Sequence, residues 1–342
     1  MSVRSRTTMR RVHAVGYYGW DNFGDELFRA AIDRNRELLW GKGARVRSFV
    51  APRVLHQNLG PVGRATRIVE ALLGAVWADT VALCGGSVLE DVRGTQRMRR
   101  RLQKRGQTVE ALGVSLGPWR SPDARERVRT YIAGMRRVVV RDSASQERFP
   151  GPVVVGGDLA ALYPMPIVPR EERGYLTICV SRDSRASIQD VAALLSALLT
   201  NVSLPVKLLA LNVRKSHGDL EWSHELRERL SEVHGDIEVH GFETIDQTID
   251  VIARSRAVWS QRLHGVIVAY LCDVPLLALS HHQKITDFGR DVGLPQRFLH
   301  HTLTADEATR EAASETLLGR TEWGVAPAAY RAATIDALRS ET

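Results

Sequence analysis

The fold class follows from the stretch Ala257-Val-Trp-Ser-Gln-Arg-Leu-His-Gly-Val-Ile-Val-Ala-Tyr-Leu-Cys-Asp-Val-Pro-Leu-Leu-Ala-Leu279. Short apolar runs at its two ends predict strands over Ala257 to Ser260 and Pro275 to Leu279, and the segment between them predicts a helix over Leu263 to Leu271. A strand, a helix and a second strand in this order are typical of a right-handed crossover unit in a parallel sheet.

The same alternation extends over both halves of the chain. In the N-terminal half it predicts strands over Arg11 to Gly16, Val81 to Cys84, Val109 to Val114 and Arg137 to Arg141. The helices predicted between them are Asp25 to Leu39, Thr95 to Lys104, Asp123 to Met135 and Ser143 to Phe149. In the C-terminal half, strands are predicted over Leu176 to Val180, Val206 to Leu211 and Ile237 to His240, with helices over Ile188 to Leu199, Glu221 to Val233 and Ile245 to Ala253.

A linker is predicted between the halves, because residues Tyr163 to Gly174 hold three prolines and show no periodicity. With 342 residues, the chain is too long for one ordinary core. We therefore predict an α/β protein with two Rossmann-like, doubly wound domains that face each other across a cleft, followed by C-terminal helices. The predicted domains are residues 1–165, residues 166–305 and a helical tail at 306–342 that braces them.

Composition favours a folded, soluble protein with an anionic partner. Hydrophobic residues make up 44% and charged residues 25% of the chain, and the net charge is +8. Nucleic acid, an anionic membrane surface and phosphorylated small molecules all suit that charge, and coding bias or solubility would also account for it. Three widely spaced cysteines indicate neither a disulfide framework nor a metal site, and predict a cytoplasmic protein. The longest apolar segments are interrupted by charged residues, so any membrane contact is expected to be peripheral.

Glycine-rich and acidic motifs follow the predicted strands of the N-terminal half. They are Gly16-Tyr-Tyr-Gly-Trp-Asp-Asn-Phe-Gly-Asp-Glu26, Cys84-Gly-Gly-Ser87, Gly113-Val-Ser-Leu-Gly-Pro118, Val140-Arg-Asp-Ser143 and Gly156-Gly-Asp158. Glycine permits tight turns and close approach of the backbone to a ligand, and strand ends along one sheet edge form binding sites. The structural alternative is that Asp25 is a turn carboxylate and that Arg141 and Asp142 pair and cap a helix.

Cations follow three predicted strands of the C-terminal half: Arg182 in Ser181-Arg-Asp183, Arg262 in Arg262-Leu-His-Gly265, and Lys284. Guanidinium groups bind phosphate and carboxylate through two parallel hydrogen bonds, so this set predicts a small anionic ligand. His264 lies at a predicted helix start, where it either binds the same ligand or is an imidazole that caps the helix or belongs to the core. The adjacent His281 and His282 lack the partners that a zinc site requires.

In their order along the chain, these motifs resemble the polysaccharide pyruvyl transferase family over residues 12 to 295. The resemblance rests above all on Ser260-Gln-Arg-Leu-His-Gly265, together with Asn22-Phe-Gly-Asp25, Cys84-Gly-Gly86 and Arg141-Asp-Ser143. It implies a fold like that of GT-B glycosyltransferases and transfer of pyruvate from phosphoenolpyruvate to a sugar as a ketal. Ser87 departs from the family, because many relatives have a third glycine there.

The resemblance places phosphoenolpyruvate on the second domain, against Arg182, Arg262, His264 and Lys284. His264 is the predicted general acid, and Asp25 is the predicted acceptor of the sugar's proton. The residues predicted for the acceptor side or the cleft are Tyr18, Asn22, Gly24, Asp25, Gly85, Gly86, Arg141, Asp142 and Asp158. No metal and no cofactor is expected, because phosphoenolpyruvate is a co-substrate. The predicted acceptor is a glycan, free or lipid-linked, met in the cytoplasm or at the inner face of the membrane.

Two other functions stay open from the sequence. A GT-B glycosyltransferase would use a nucleotide sugar and hold its ribose with a carboxylate such as Glu243. A catalytically inactive module would bind anions or nucleic acid through the +8 charge.

Overall fold

The computed structural model describes residues 10–92, 106–183, 186–215, 217–279, 282–302 and 304–339, and the chain divides into two compact units. The first unit contains Leu27–Tyr163 with the residues up to Trp20 and those from Ala332 onward. The second contains Pro164–Arg331 and the short segment Asp21–Glu26. The helix predicted near Thr95 to Lys104 lies outside the described residues, as does His281.

The first unit is built on a parallel sheet of six strands, in the spatial order β2-β1-β3-β4-β5-β6. The strands are β1 (Arg11–Val15), β2 (Arg45–Arg47), β3 (Thr80–Gly86), β4 (Thr108–Val114), β5 (Arg137–Val140) and β6 (Val154–Val155). The helices of this part of the chain are α1 (Phe23–Arg34), α2 (Arg36–Trp40), α3 (Arg53–His56), α4 (Pro61–Trp77), α5 (Pro122–Ile132) and α6 (Ser143–Arg148).

The second unit repeats the architecture in the spatial order β12-β11-β10-β7-β8-β9. Its strands are β7 (Tyr175–Cys179), β8 (Val206–Ala210), β9 (Ile237–Gly241), β10 (Ser255–Ser260), β11 (Leu276–Leu279) and β12 (Leu299–His300). Its helices are α7 (Ile188–Leu199), α8 (Leu220–Leu230), α9 (Ile245–Ala253), α10 (Leu263–Leu271), α11 (Gln283–Asp291) and α12 (Glu307–Leu317); α13 (Pro327–Leu338) follows them.

The strand orders confirm the predicted α/β class with doubly wound sheets. In each sheet the chain first builds outward in one direction and then returns to add strands on the other side. The reversal falls between β1 and β3 in the first unit and between β7 and β10 in the second. Ligands of open parallel sheets bind at the carboxyl ends of the strands beside such a reversal. The loops after these four strands are therefore the expected positions of a binding site.

Side-chain caps explain why several helix bounds agree with those predicted from the sequence. Ser187 begins α7 with a reciprocal capping box to Asp190, and Thr244 accepts a hydrogen bond from Gln247 N at the start of α9. The single helix predicted over Asp25 to Leu39 is instead two helices. They are separated at Asn35, whose side-chain amide donates to Ala31 O and Leu162 O.

The C-terminal residues join the first unit through specific contacts. The Arg137 guanidinium donates to the carbonyls of Leu338 and Arg339, at 2.9 and 3.0 Å, and the Leu338 side chain is fully buried. In contrast, α12 packs on the second sheet, where Trp259 Nε1 donates to Thr316 Oγ1. The predicted tail from residue 306 therefore contributes to both units.

Glu110 is a fully buried charge in the middle of β4. Its carboxylate accepts hydrogen bonds from Trp40 Nε1 at 2.6 Å, Arg136 Nη2 at 2.9 Å and Arg137 Nε at 3.3 Å. Removing one partner of a buried ion pair leaves the other charge uncompensated.

We expect Glu110→Ala to lower the free energy of unfolding by about 3–5 kcal/mol, because it removes the carboxylate that pairs with the mostly buried Arg137 and accepts the Trp40 N–H. Denaturant unfolding measures the change. Glu126→Ala is the control, since Glu126 pairs with Arg129 at the surface and such pairs contribute about 0.2–1 kcal/mol. Equal losses in the two variants would contradict the assignment.

Candidate functional site

The loops after β7 and β10 are joined at the reversal point of the second sheet. The backbone N–H of Gln261 donates to Cys179 O at 2.8 Å, and its side-chain carbonyl accepts from Ser181 N at 3.0 Å. Gln261 is buried, so this link is shielded from water. It fixes the loop that carries Arg182 and Asp183 beside the loop that carries Arg262.

The motif Ser260-Gln-Arg-Leu-His-Gly265 forms one tightly packed turn at the start of α10. Ser260 Oγ accepts from Arg262 N at 3.0 Å and donates to Arg262 O at 2.8 Å. A side chain at position 265 would collide with Ser260 Oγ and press on Cys179, so glycine is required there. Arg262 is the N-cap residue of α10 and has an extended backbone, and its side chain makes no capping hydrogen bond.

Arg262 is held by two carboxylates. Its Nε donates to Asp219 Oδ2 at 2.8 Å, its Nη2 bonds to Asp219 Oδ1, and its Nη1 donates to Asp183 Oδ2 at 2.9 Å. The Asp219 side chain is fully buried, whereas that of Asp183 is 61% exposed. The guanidinium is therefore fixed on its buried edge and reaches solvent on the side of Asp183.

Arg262 and Asp219 each shift the pKa of the other. Burial by itself would lower the pKa of Arg262, but Asp219 and Asp183 outweigh burial and raise it. Burial raises the pKa of Asp219, and the Arg262 guanidinium and the Arg182 N–H oppose that effect. Arg262 is thus the main charge that compensates the buried Asp219 carboxyl group.

Arg182 meets the same carboxylate through its backbone. Its N–H donates to Asp219 Oδ1 at 3.0 Å, while its exposed side chain donates from Nη1 to Glu221 Oε2 at 3.3 Å. Lys284 lies in the first turn of α11, after β11, the neighbour of β10 in the sheet. The three predicted cations therefore belong to three adjacent strand ends.

The segment Asp21–Glu26 packs on this unit although it belongs to the N-terminal part of the sequence. Phe23 N donates to Leu211 O at 2.8 Å, and Val213 N donates to Asp21 O at 3.0 Å. Asn22 forms an isolated antiparallel bridge with Asn212, and its side chain accepts from Gly24 N at 3.3 Å. The segment is held mainly by backbone hydrogen bonds, which sequence patterns do not reveal.

Gly24 lies against the imidazole of His264. A Cβ at Gly24 would collide with the ring at Nδ1, Cε1 and Cγ. The absence of a side chain at position 24 therefore lets the two motifs approach, and Asp25 follows directly in the first turn of α1. The structure thus brings Gly24 and His264, two predicted site residues, into direct contact.

Asp219 was missed by the sequence analysis, although its carboxylate organises Arg182 and Arg262. The available signal was Gly218-Asp219 before a helical period, which normally indicates a cap. Asp219 occupies the N-cap position of α8, but its side chain makes no capping hydrogen bond, since it is engaged with Arg262. Only the folded chain distinguishes this use from ordinary capping.

In the first unit, the predicted residues near the reversal point are mostly buried. Tyr18 is 2% exposed, and its hydroxyl donates to Cys84 O at 3.3 Å. Gly85 and Gly86 have φ values of 72° and 65°, which favour glycine, and a Cβ at Gly85 would collide with the Phe28 ring. These residues shape the loops after β1 and β3.

Arg141, Asp142 and Asp158 form a buried charge cluster at the ends of β5 and β6. Asp142 Oδ1 caps α6 by accepting from Ser145 N at 2.7 Å, and Asp158 Oδ1 accepts from Ala160 N at 2.9 Å. Arg141 Nη1 lies 3.6 Å from Asp158 Oδ2. Asp142 therefore caps a helix, as the structural alternative predicts.

Asp158 gives this cluster a defined pH dependence. Burial raises the pKa of its carboxyl to about 6, although Arg141 opposes the effect. The folded chain therefore binds this proton more tightly than the unfolded chain, whose carboxyl has an ordinary pKa near 4. Its contribution to stability is complete below about pH 4 and is lost as the pH rises through about 6.

We expect the free energy of unfolding of the wild type, minus that of Asp158→Asn, to fall by about 2 kcal/mol between pH 4 and pH 6. Denaturant unfolding at several pH values gives the profile. Asp123→Asn removes an exposed carboxyl in the first turn of α5 and serves as the control. A difference that stays constant or rises over this interval would refute the assignment.

We also expect Gly24→Ala to cost about 1–3 kcal/mol of stability, because the new methyl group collides with the His264 ring. In a His264→Ala background the same change should cost less than about 0.5 kcal/mol, since the collision is removed. Denaturant unfolding of the four chains measures this coupling. Gly174→Ala, where an added Cβ meets open space, is the control. Equal costs of Gly24→Ala in both backgrounds would rule out the contact.

Within the described residues, no helix combines the length and the apolar character needed to span a membrane. No group of three histidine, cysteine, aspartate or glutamate residues suited to a metal ion occurs among them either. The cysteines at positions 84, 179 and 272 are free and buried.

Solved structures with a similar fold are GT-B-type glycosyltransferases and epimerases. Staphylococcus aureus MnaA, solved with UDP, aligns with a TM-score of 0.58 at 10% identity over 95% of this chain and 94% of its own. The Neisseria meningitidis UDP-GlcNAc 2-epimerase, solved with UDP-GlcNAc, aligns with a TM-score of 0.57 at 10% identity, covering 96% and 98% of the two chains. A putative UDP-N-acetylglucosamine 2-epimerase from Listeria monocytogenes gives 0.56 at 12% identity, over 96% and 91%. At these identities the likeness establishes the fold, which is the GT-B-like fold predicted.

The sequence itself identifies the family. No curated protein matches it significantly. The family model for polysaccharide pyruvyl transferases matches residues 18–283 and therefore spans the motifs of both units, from the Asn22 to Asp25 segment to the Arg262 and His264 turn. The chain belongs to the polysaccharide pyruvyl transferase family, a family of transferases.

Proposed function

We propose that this chain transfers the pyruvyl group of phosphoenolpyruvate to two hydroxyls of a cell-surface or exopolysaccharide sugar, forming a ketal and releasing phosphate. Family membership supports this class of reaction. The observation that carries the proposal is the arrangement around Asp219, which bonds both the Arg182 backbone and the Arg262 guanidinium at the reversal point of the second sheet. Such a point is where open α/β sheets bind small ligands.

In this proposal, the donor displaces the Asp183 carboxylate from the Arg262 guanidinium when it binds. Phosphoenolpyruvate carries a carboxylate and a phosphate monoester of about −1.5 to −2 charge near neutrality. Asp183 is largely exposed, and ion pairs of exposed carboxylates are weak. A donor anion therefore replaces Asp183 at Nη1, while the buried Asp219 keeps the guanidinium oriented. The exposed Arg182 side chain turns from Glu221 to the second anionic group, and Lys284 adds a third cation.

Ketal formation requires a proton at the donor's methylene carbon and two bonds from sugar oxygens to C2. In this scheme His264 donates the proton, because imidazole groups serve as general acids at neutral pH. The double-bond electrons of the donor take this proton, and the first sugar hydroxyl bonds to C2 while its proton passes to Asp25. The C2–O bond to phosphate then breaks, its electrons leave with phosphate, and the second hydroxyl bonds to C2. Of the two hydroxyl protons, one returns to His264 and the other leaves on phosphate, which restores both side chains. The scheme requires no metal.

The segment at Asn22, Gly24 and Asp25 contributes directly to the site in this proposal, since Gly24 lies against His264. Loops after β1 and β3 of the first unit, with Gly85 and Gly86, bind the acceptor sugar. Tyr18 positions the end of β3, because its buried hydroxyl donates to Cys84 O. Arg141, Asp142 and Asp158 are buried at the ends of β5 and β6, so in this proposal they position those strand ends.

The proposal is tested by incubating the purified chain with phosphoenolpyruvate and a panel of free and lipid-linked glycans. Phosphate release that depends on the acceptor, with a pyruvyl ketal on the glycan by mass spectrometry, is the expected result. A parallel reaction with UDP-sugars measures nucleotide release, since the similar solved structures hold UDP or UDP-GlcNAc. Nucleotide release without phosphate release would replace the proposal with a glycosyltransferase.

We expect Arg262→Ala and His264→Ala each to lower kcat/KM by at least about 10²-fold, because each removes an electrostatic or acid-base contact at the reacting bond. Arg262→Lys keeps a cation for Asp219 but lacks the planar fork, so it should also be impaired while staying folded. Arg254→Ala, which breaks an exposed pair with Asp250, is the matched control. Near-normal turnover of both alanine variants would remove these residues from the mechanism.

A further inference from the structure

Helix α4 presents its large apolar side chains to solvent and its small ones to the sheet. Its buried residues are Gly63, Ala71, Gly74 and Ala75. A Cβ at Gly74 would collide with the imidazole of His13 on β1, so the helix axis lies close to the strand. This close approach leaves no space for large side chains underneath. The bulky residues of α4 therefore point outward, which reverses the usual pattern of a surface helix.

The outward residues form part of a concentrated apolar surface. Of the fifteen exposed large hydrophobic residues among those described, nine lie between positions 54 and 76. They are Val54, Leu55, Leu59, Val62, Ile68, Val69, Leu72, Leu73 and Val76. We call these nine residues, together with Arg53 and Arg64, the α3–α4 surface. A groove of about 930 Å³ opens on this surface. Its lining includes Leu55, Val62, Val69 and Leu73 of the surface, and its charged lining residues are Arg29, Asp33, Arg47 and Glu70. Exposed apolar area of this density marks an interaction site.

The charge of the same segment is strongly positive. Residues 45–77 contain five arginines, at positions 45, 47, 53, 64 and 67, and a single carboxylate, Glu70. Glu70 does not offset them at the surface, because it is directed inward, where it accepts from Ala51 N at 2.6 Å and contacts His56 Nδ1 at 2.9 Å. Arg53 and Arg64 are exposed. The occupant of this surface must therefore be apolar and anionic together.

A second copy of the chain does not meet this requirement. A symmetric dimer would place the same patch against itself, which brings like arginines together, and Asp33 is the only exposed carboxylate of the surface and its groove among the described residues. An anionic bilayer supplies both negative headgroups and an apolar layer. Helix α4 has 17 residues and contains two arginines and a glutamate, so it suits a position in the plane of the membrane.

We propose that the α3–α4 surface binds the chain peripherally to an anionic phospholipid bilayer. The apolar side chains enter the interface and the arginines contact the headgroups. The proposal does not depend on the pyruvyl transfer reaction, because it rests on the surface of the first unit alone.

Sedimentation of the full chain with phosphatidylcholine vesicles, with and without phosphatidylglycerol, tests this proposal. We expect binding to the anionic vesicles that weakens with salt, and little binding to the neutral ones. Leu73→Glu should weaken binding at least about tenfold, since it removes apolar area and adds a negative charge. Arg64→Gln should weaken it about fivefold, the effect of one arginine near an anionic surface.

Matched controls come from the second unit. Leu318→Glu changes a leucine that is 51% exposed, against 52% for Leu73, and Arg320→Gln removes another exposed arginine. Circular dichroism confirms that each variant is folded. The proposal is overturned by failure to bind anionic vesicles, by equal effects of the controls, or by a dimer in analytical ultracentrifugation that Leu73→Glu dissociates. Because vesicle binding needs no substrate, its failure is distinct from failure of the transfer reaction.

Discussion

Asp219 and Arg262 form the interaction on which the candidate site depends. The carboxylate is fully buried at the start of α8, and it holds the guanidinium by two nitrogen atoms while also accepting the N–H of Arg182. A buried charge requires such compensation, since desolvation would otherwise oppose folding by several kcal/mol. The pair therefore links the loops after β7 and β10 to the region before α8, and it leaves only one edge of Arg262 open to exchange partners.

Close packing by glycine brings the remaining elements to this pair. Gly265 lets Ser260 bond both backbone groups of Arg262, and Gly24 lets the N-terminal segment lie on the His264 ring. In both cases any side chain would occupy space already filled by a neighbour. The motifs Asn-x-Gly-Asp and Arg-x-His-Gly are thus two parts of one packing arrangement, although more than 230 residues separate them in the sequence.

The same use of small residues has a different consequence in the first unit. Glycines and alanines let α4 lie close to β1, and the larger apolar residues are left on the outside. The large apolar side chains of α4 bury little area within the folded chain, so they contribute little to its stability. The exposed apolar face of α4 is available for a partner, and the arginines of the same segment favour a partner that carries negative charge.

The sequence by itself determined the α/β class, the two-part organisation and the family, because apolar period, proline content and motif order are local properties of the chain. It also placed Arg182, Arg262 and Lys284 after strands. It did not identify Asp219, because a carboxylate before a helix reads as a cap, nor Glu110, because one charge within an apolar strand has no visible partner. Only the tertiary structure decided which carboxylates hold Arg262 and that Asp21–Glu26 joins the second unit. It also decided that the large apolar side chains of α4 face solvent. Each of these features depends on contacts between residues far apart in the chain.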